Sequence, residues 1–177
     1  MTDEFSYELK ISEERIAVLI GAEGKIKKDI EEATQSKLEI SKDGDVTITG
    51  EDALLLYTAR EMVRAVSRGF NPKIALLLLK TDYVLEIIDL SDVAGKNKNV
   101  LERLKGRVIG TAGKARQEIE LLTDTYLSVY GKTIGIIGEI AAVTVAREAL
   151  SMLIRGSMHR TVYQYLERKR KEILRAR

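Results

Sequence analysis

Cysteine is absent from the 177 residues, and histidine and proline occur once each. Without cysteine there is no disulfide scaffold, no thiolate metal site and no thiol nucleophile. One histidine leaves no material for a zinc cluster or a Ser-His-Asp site. No apolar run approaches the ~18 residues that span a bilayer; the longest obvious one covers residues 74–79. The opening stretch MTDEFSYELK has neither the basic nor the apolar region of a secretory signal. The expected location is therefore the cytoplasm, with no membrane contact. No carboxylate pair, ligand cluster or activated nucleophile stands out, so the sequence predicts no catalytic residue, metal or cofactor.

What is present describes a soluble globular protein, with 45% hydrophobic and 32% charged residues. The net charge of +2 conceals an uneven distribution. Between Lys96 and Arg116 stand seven basic residues and one acidic; between Arg155 and Arg177, eight basic and two acidic. The remainder is acidic. Two basic segments on an acidic body predict a localised contact with a polyanion.

The chain is a duplication. At an offset of 89, Ile20, Gly21, Gly24, Lys25, Ile30, Glu31 and Thr34 match Ile109, Gly110, Gly113, Lys114, Ile119, Glu120 and Thr123. Further on, AREMVRAVSRG (59–69) answers AREALSMLIRG (146–156). A repeat this long is one supersecondary unit used twice.

The alternation of YELKI predicts a strand, and Ser12 can cap a short helix after it. Apolar residues at Ile26, Ile30 and Ala33 give an amphipathic helix, and Ala115, Ile119 and Leu122 repeat the stripe. Asp43-Gly44 marks a hairpin, matched by residues 126–138, and a long helix closes each unit. The expected fold is α+β, each unit being a three-stranded antiparallel sheet packed by helices, with a C-terminal helix beyond the second. The expected boundaries are 1–70, a helical linker 71–82, 83–156, and a basic helix 157–177. The linker's IALLLL is too apolar to be free, so it is expected to pack on one or both domains and limit their relative motion. The last helix is expected to bury Val162, Tyr165, Leu166, Ile173 and Leu174, with Arg168, Lys169, Arg170 and Lys171 directed outward. His159 is expected at the surface.

With 13 glycines, about one G-x-x-G arises by chance, and there are three. Gly135–Gly138 falls in a predicted strand and signals close backbone packing. The other two join an apolar helix end to an amphipathic helix start, in register, within the duplicated unit. Glycine there permits a tight turn and removes the Cβ that would obstruct an approaching strand. Amide groups at the next helix's N-terminus, with the helix dipole, then suit a phosphate. A P-loop or a dinucleotide G-x-G-x-x-G would need glycine at Val108, which excludes both.

The arrangement is similar to the KH domain of type I, whose G-x-x-G loop clamps about four nucleotides of single-stranded nucleic acid. The expected contacts are Arg107, Val108, Ile109, Gly110, Thr111, Ala112, Gly113, Lys114 and Arg116, the apolar pair forming part of a floor for splayed bases. A secondary set is Gly21, Ala22, Gly24, Lys25 and Lys27. Glu23 puts a carboxylate at the first loop's tip, so the second domain is expected to dominate. Lys96, Lys98, Arg103 and Lys105 extend the second loop's basic approach.

RGF followed by ALLLL, then LEIIDL, GRVIGTAGKARQEIE, and IRGS followed by VYQYLE, closely resemble the partner-of-Nob small-subunit assembly factors, in their archaeal form. The resemblance covers essentially the whole chain. It implies two side-by-side type I KH domains and a monomeric, non-catalytic binding factor. Such a factor holds the 3′ end of small-subunit rRNA precursor as single-stranded RNA. It further implies a Nob-type endonuclease, a dimethyladenosine transferase or a translation-initiation component as partners. Eukaryotic members tend to lose the first loop's motif and use that domain for protein contacts; this chain keeps Gly21 and Gly24. The competing expectation is a KH-derived protein–protein scaffold with little direct RNA binding.

Overall fold

The computed structural model describes residues 4–176 and divides into two compact units between Thr81 and Asp82. Residues 1–3 and 177, the outer ends of the expected first and last segments, lie outside the described residues. In the first unit, β1 (Phe5–Lys10), α1 (Glu13–Ile20), α2 (Lys25–Thr34), β2 (Ser36–Ile40), β3 (Asp45–Gly50) and α3 (Ala53–Ser67) follow in order. The second unit repeats this with β4 (Tyr83–Asp89), α5 (Ser91–Ala94), α6 (Lys98–Ile109), α7 (Lys114–Thr123), β5 (Tyr126–Tyr130), β6 (Thr133–Glu139) and α8 (Ile140–Ile154), then adds α9 (His159–Arg175). Both sheets are antiparallel, in the orders β1-β3-β2 and β4-β6-β5, which is the type I KH topology.

Alternation on the strands buries Leu38, Val46 and Ile48 in the first unit, where α1, α2 and α3 contribute Leu19, Ile30, Leu56, Met62 and Val66. In the second, Ile134, Ile136 and Leu127 join Leu104, Val108, Ile119, Val143 and Leu150 in one cluster. Helix starts are set by side chains where the sequence supplies them. Asp52 accepts hydrogen bonds from the amides of Leu54 and Leu55, both at 2.9 Å. Asn97 does the same for Asn99 and Val100 at the head of α6. Ser12 occupies the corresponding place before α1, but its side chain makes no capping bond there; its carbonyl accepts from the Arg15 amide.

The duplication extends to hydrogen bonds. In α2, Thr34 Oγ1 donates to the Ile30 carbonyl (2.7 Å) and lies 2.7 Å from Ser36 Oγ, while Glu31 Oε1 accepts from the Leu38 amide at 2.7 Å. In α7, Thr123 Oγ1 donates to Ile119, meets Thr125 Oγ1, and Glu120 Oε1 accepts from Leu127 at 2.8 Å. These bonds tie the C-terminal end of each post-loop helix to the next strand. They pass through a left-handed residue, Gln35 in one unit and Asp124 in the other. Gly138 likewise sits against Thr125, where an added Cβ would come within 2.9 Å of its methyl group, as close packing in that strand predicts.

The apolar segment after α3 forms α4 (Pro72–Ala75) and a 3₁₀ turn over Leu76–Leu79. Both pack on α3, with Ala75 and Leu78 buried, so this stretch is part of the first unit and not a free-standing linker. Helix α9 packs on α7 and α8 through Val162 and Leu166. Leu174, expected on the buried side, is exposed. Removing the carboxylate that receives the Leu127 amide should test the α7–β5 tie. We expect Glu120→Ala to destabilise the second unit by about 1–3 kcal/mol. Hydrogen exchange should show selective loss of protection at Leu127, and urea unfolding followed by circular dichroism should show the lowered midpoint.

Candidate nucleic-acid interface

The two G-x-x-G corners have the same backbone. Gly110 lies at φ 72°, ψ 176°, and Gly21 at φ 73°, ψ 176°. The third position is left-handed although it carries a side chain, Ala112 at φ 54° and Glu23 at φ 54°. Gly113 and Gly24 follow, both at φ 74°. The first glycine is required by space as well as angle. A Cβ on Gly110 would lie 2.6 Å from the Ala115 Cβ and 2.8 Å from its nitrogen; on Gly21 it would lie 2.4 Å from Ile26 Cγ1. The second glycine faces open space, so only its left-handed angle disfavours other residues.

The amides are less bare than the motif suggests. Gly110 N–H donates to Gly106 (2.8 Å), Gly113 N–H to Gly110 (3.2 Å), and Lys114 N–H to Thr111. Among the described residues, no acceptor is found for the Thr111 and Ala112 amides. These two, on exposed residues at the head of α7, are the donors left for an anion. Beside them Lys114 is exposed and makes no ion pair among the described residues. In the first loop Ala22, Glu23 and Lys25 are exposed, and Lys27 lies 4.0 Å from Glu31, which draws its charge toward the helix flank.

Three of the expected contacts are drawn back from the exposed tip. Val108 is fully buried in the core, so its side chain is not on the surface beside the loop. Arg107 is turned inward: its Nε donates to the Leu153 carbonyl at 2.9 Å and its Nη2 to the Ser157 carbonyl. It clasps the end of α8 with these two nitrogens, so the loop is tied to the α8–α9 junction. In the first unit Arg15 does the same from one turn earlier, its Nε and Nη2 donating to Val66 and Phe70 at 2.8 and 2.9 Å. Arg116 is half-buried with a buried Nε that has no partner among the described residues, so only part of its guanidinium faces outward. Ile109, Gly110 and Gly113 are half-buried, and Thr111 and Ala112 form the exposed tip.

A model of the eukaryotic-type KH domain (type I) matches residues 84–171, and a general KH-domain model matches residues 6–65. A KH domain-containing protein of Methanocaldococcus jannaschii is 51% identical over 96% of this chain and 76% of its own length. The pre-rRNA-processing protein PNO1 of Debaryomyces hansenii is 34% identical over 61% of this chain. The chain belongs to the PNO1 family of KH-domain proteins. It spans less than half the length of the eukaryotic PNO1 proteins, 43% of the Debaryomyces one. Among solved structures, Dim2p of Pyrococcus horikoshii is 44% identical, with a TM-score of 0.86 over 93% of this chain and 99% of that one. The same organism's aDim2p, solved as a complex with a/eIF2α and rRNA, is 43% identical with a TM-score of 0.88, covering 96% of each.

Sequence reasoning missed one contribution to the site. His159 is half-buried, not a free surface residue, and its Nε2 lies 2.7 Å from the Arg107 carbonyl oxygen. With Tyr163 it lines an open groove beside Gly110, Thr111 and Lys114. Their i, i+4 spacing on α9 was the available signal, but nothing local to that helix indicates which element it packs against. Of the basic residues expected to point outward, Arg170 donates to the Leu121 carbonyl at 2.7 Å and Lys169 pairs with Glu172. Arg168 lies over the Tyr165 ring.

The two loop glycines should respond unequally to one methyl group. Gly113→Ala should cost about 1 kcal/mol, from its left-handed angle alone. Gly110→Ala should cost about 3 kcal/mol or more, since the clash is with backbone. Urea midpoints of the two variants check the order.

Proposed function

We propose that this chain is a single-strand RNA-binding assembly factor that holds the 3′-end region of small-subunit pre-rRNA by positioning, without catalysis. The observation that carries the reading is the exposed tip at 111–112. Its two free amides head α7 and stand beside the unpaired Lys114, within the basic segment 96–116. That is a built anion site at which consecutive phosphates of an unpaired strand can be held, with half-buried Ile109 flanking it as apolar surface for a base. Relatives named as pre-rRNA-processing proteins, and a Pyrococcus neighbour solved with rRNA, support the substrate class.

The first domain takes a secondary part through Gly21, Ala22, Gly24, Lys25 and Lys27. Its loop has the same shape, but Glu23 places a negative charge where a phosphate would sit. As partners we propose the Nob-type endonuclease, a dimethyladenosine transferase and a translation-initiation factor. The a/eIF2α present in the Pyrococcus complex supports the last.

Thr111→Asp with Ala112→Asp should abolish binding to single-stranded RNA, because two carboxylates would face the phosphates at a solvent-exposed tip. The melting temperature should change little. Retained affinity, measured by fluorescence anisotropy, would refute the clamp. With about four phosphate contacts, the log–log dependence of affinity on salt should have a slope near −3. Duplex RNA should bind weakly.

A further inference from the structure

The groove beside the second loop has a wall that the G-x-x-G motif does not supply. One flank is α6, where Arg103 is exposed and Gly106 leaves the helix surface open, with nothing within 4 Å of where its Cβ would be. The loop end contributes Thr111 and Lys114, and the opposite flank is the first two turns of α9, with His159 and Tyr163. The two rings are 6.2 Å apart and inclined at 58°.

This wall is held in place from both sides. The Arg107 guanidinium grips the Leu153 and Ser157 carbonyls at the α8–α9 junction. The Arg107 carbonyl receives the His159 ring, and since a carbonyl only accepts, Nε2 carries the hydrogen. Tyr163 is half-buried, and burial, with a further push from the Glu118 carboxylate, raises its pKa and keeps the hydroxyl neutral. A fixed, neutral aromatic ring between exposed cations is what an unpaired base stacks on.

We propose that this groove is a nucleotide subsite contiguous with the loop: the base adjoining the clamped phosphate leaves the stack and lies against Tyr163, while Arg103 and Lys114 face its sugar–phosphate. The inference rests on the RNA-clamp reading above and adds a base-holding position to it. In the first unit α3 is followed by α4, packed back on α3, so the subsite belongs to the second domain. It gives the second loop a directional grip, with a phosphate at the tip and a base beside α9.

The test uses the full chain and a single-stranded oligoribonucleotide carrying 2-aminopurine at each position in turn. One position should show stacking quench on binding. Tyr163→Ala should remove that quench and weaken binding about tenfold, and Tyr163→Phe should keep both. If Tyr163→Ala lowers the melting temperature, Tyr163→Leu, which retains apolar bulk without a ring, should give the same loss. Unchanged affinity and quenching in the Ala and Leu variants would overturn the subsite while leaving the clamp intact, provided Thr111→Asp with Ala112→Asp still abolishes binding. An equal loss in Tyr163→Phe would overturn stacking as its basis. Binding that survives the double aspartate variant would overturn the clamp itself, and the subsite with it.

Discussion

Gly110 and Ala115 approach so closely that no side chain fits between them, and most of the second domain's interface follows from that contact. With the Cβ position of Gly110 only 2.6 Å from the Ala115 methyl, α6 and α7 meet at a corner too tight for any residue but glycine. The corner pushes Ala112 into the left-handed region and turns the Thr111 and Ala112 amides outward at a helix N-terminus. Three neighbouring amides are satisfied internally, which stabilises the turn and leaves the tip as the place where amides stay open. The first unit repeats the geometry to within a few degrees, with Ile26 taking the place of Ala115.

A corner this tight is useful only if the helices that form it stay put, and each unit anchors them twice. The Thr34–Ser36 and Thr123–Thr125 pairs, with Glu31 and Glu120, tie the post-loop helix to the next strand through matched bonds. An arginine on the pre-loop helix ties it to carbonyls at the end of the closing helix. Here the copies reach one result by different residues. Arg15 stands six residues before its loop glycine and Arg107 three before, yet they grip equivalent carbonyls, Val66 and Phe70 in one unit and Leu153 and Ser157 in the other. What was kept through the duplication is the clasp, not the position that supplies it.

The difference between the copies is therefore one of electrostatics and surroundings, not of loop shape. Glu23 and Ala112 have nearly the same φ and ψ, but one brings a carboxylate to the tip and the other a methyl group. The second loop also gains α9, whose first turn stands beside it, whereas the first unit closes with α4 on α3.

Much of this was legible in the residues themselves. The internal repeat, the order of strands and helices, the hairpin at Asp43-Gly44 and the two glycine pairs at the helix corners all depend on local periodicity and local backbone freedom. Such features are written in neighbouring residues. The roles of Arg107, Val108 and His159 were not. Arg107 and Val108 adjoin the motif and look like contacts, but packing turned one into the core and gave the other to carbonyls 46 and 50 residues away. His159 reaches the site by bonding a residue 52 positions earlier. The sequence by itself determined the two-fold repeat, its topology and the corner at each G-x-x-G, because steric exclusion and amphipathic spacing act over a few residues. Only the tertiary structure decided which basic and aromatic side chains face the groove, because that depends on how α8 and α9 fold back onto α6 and α7.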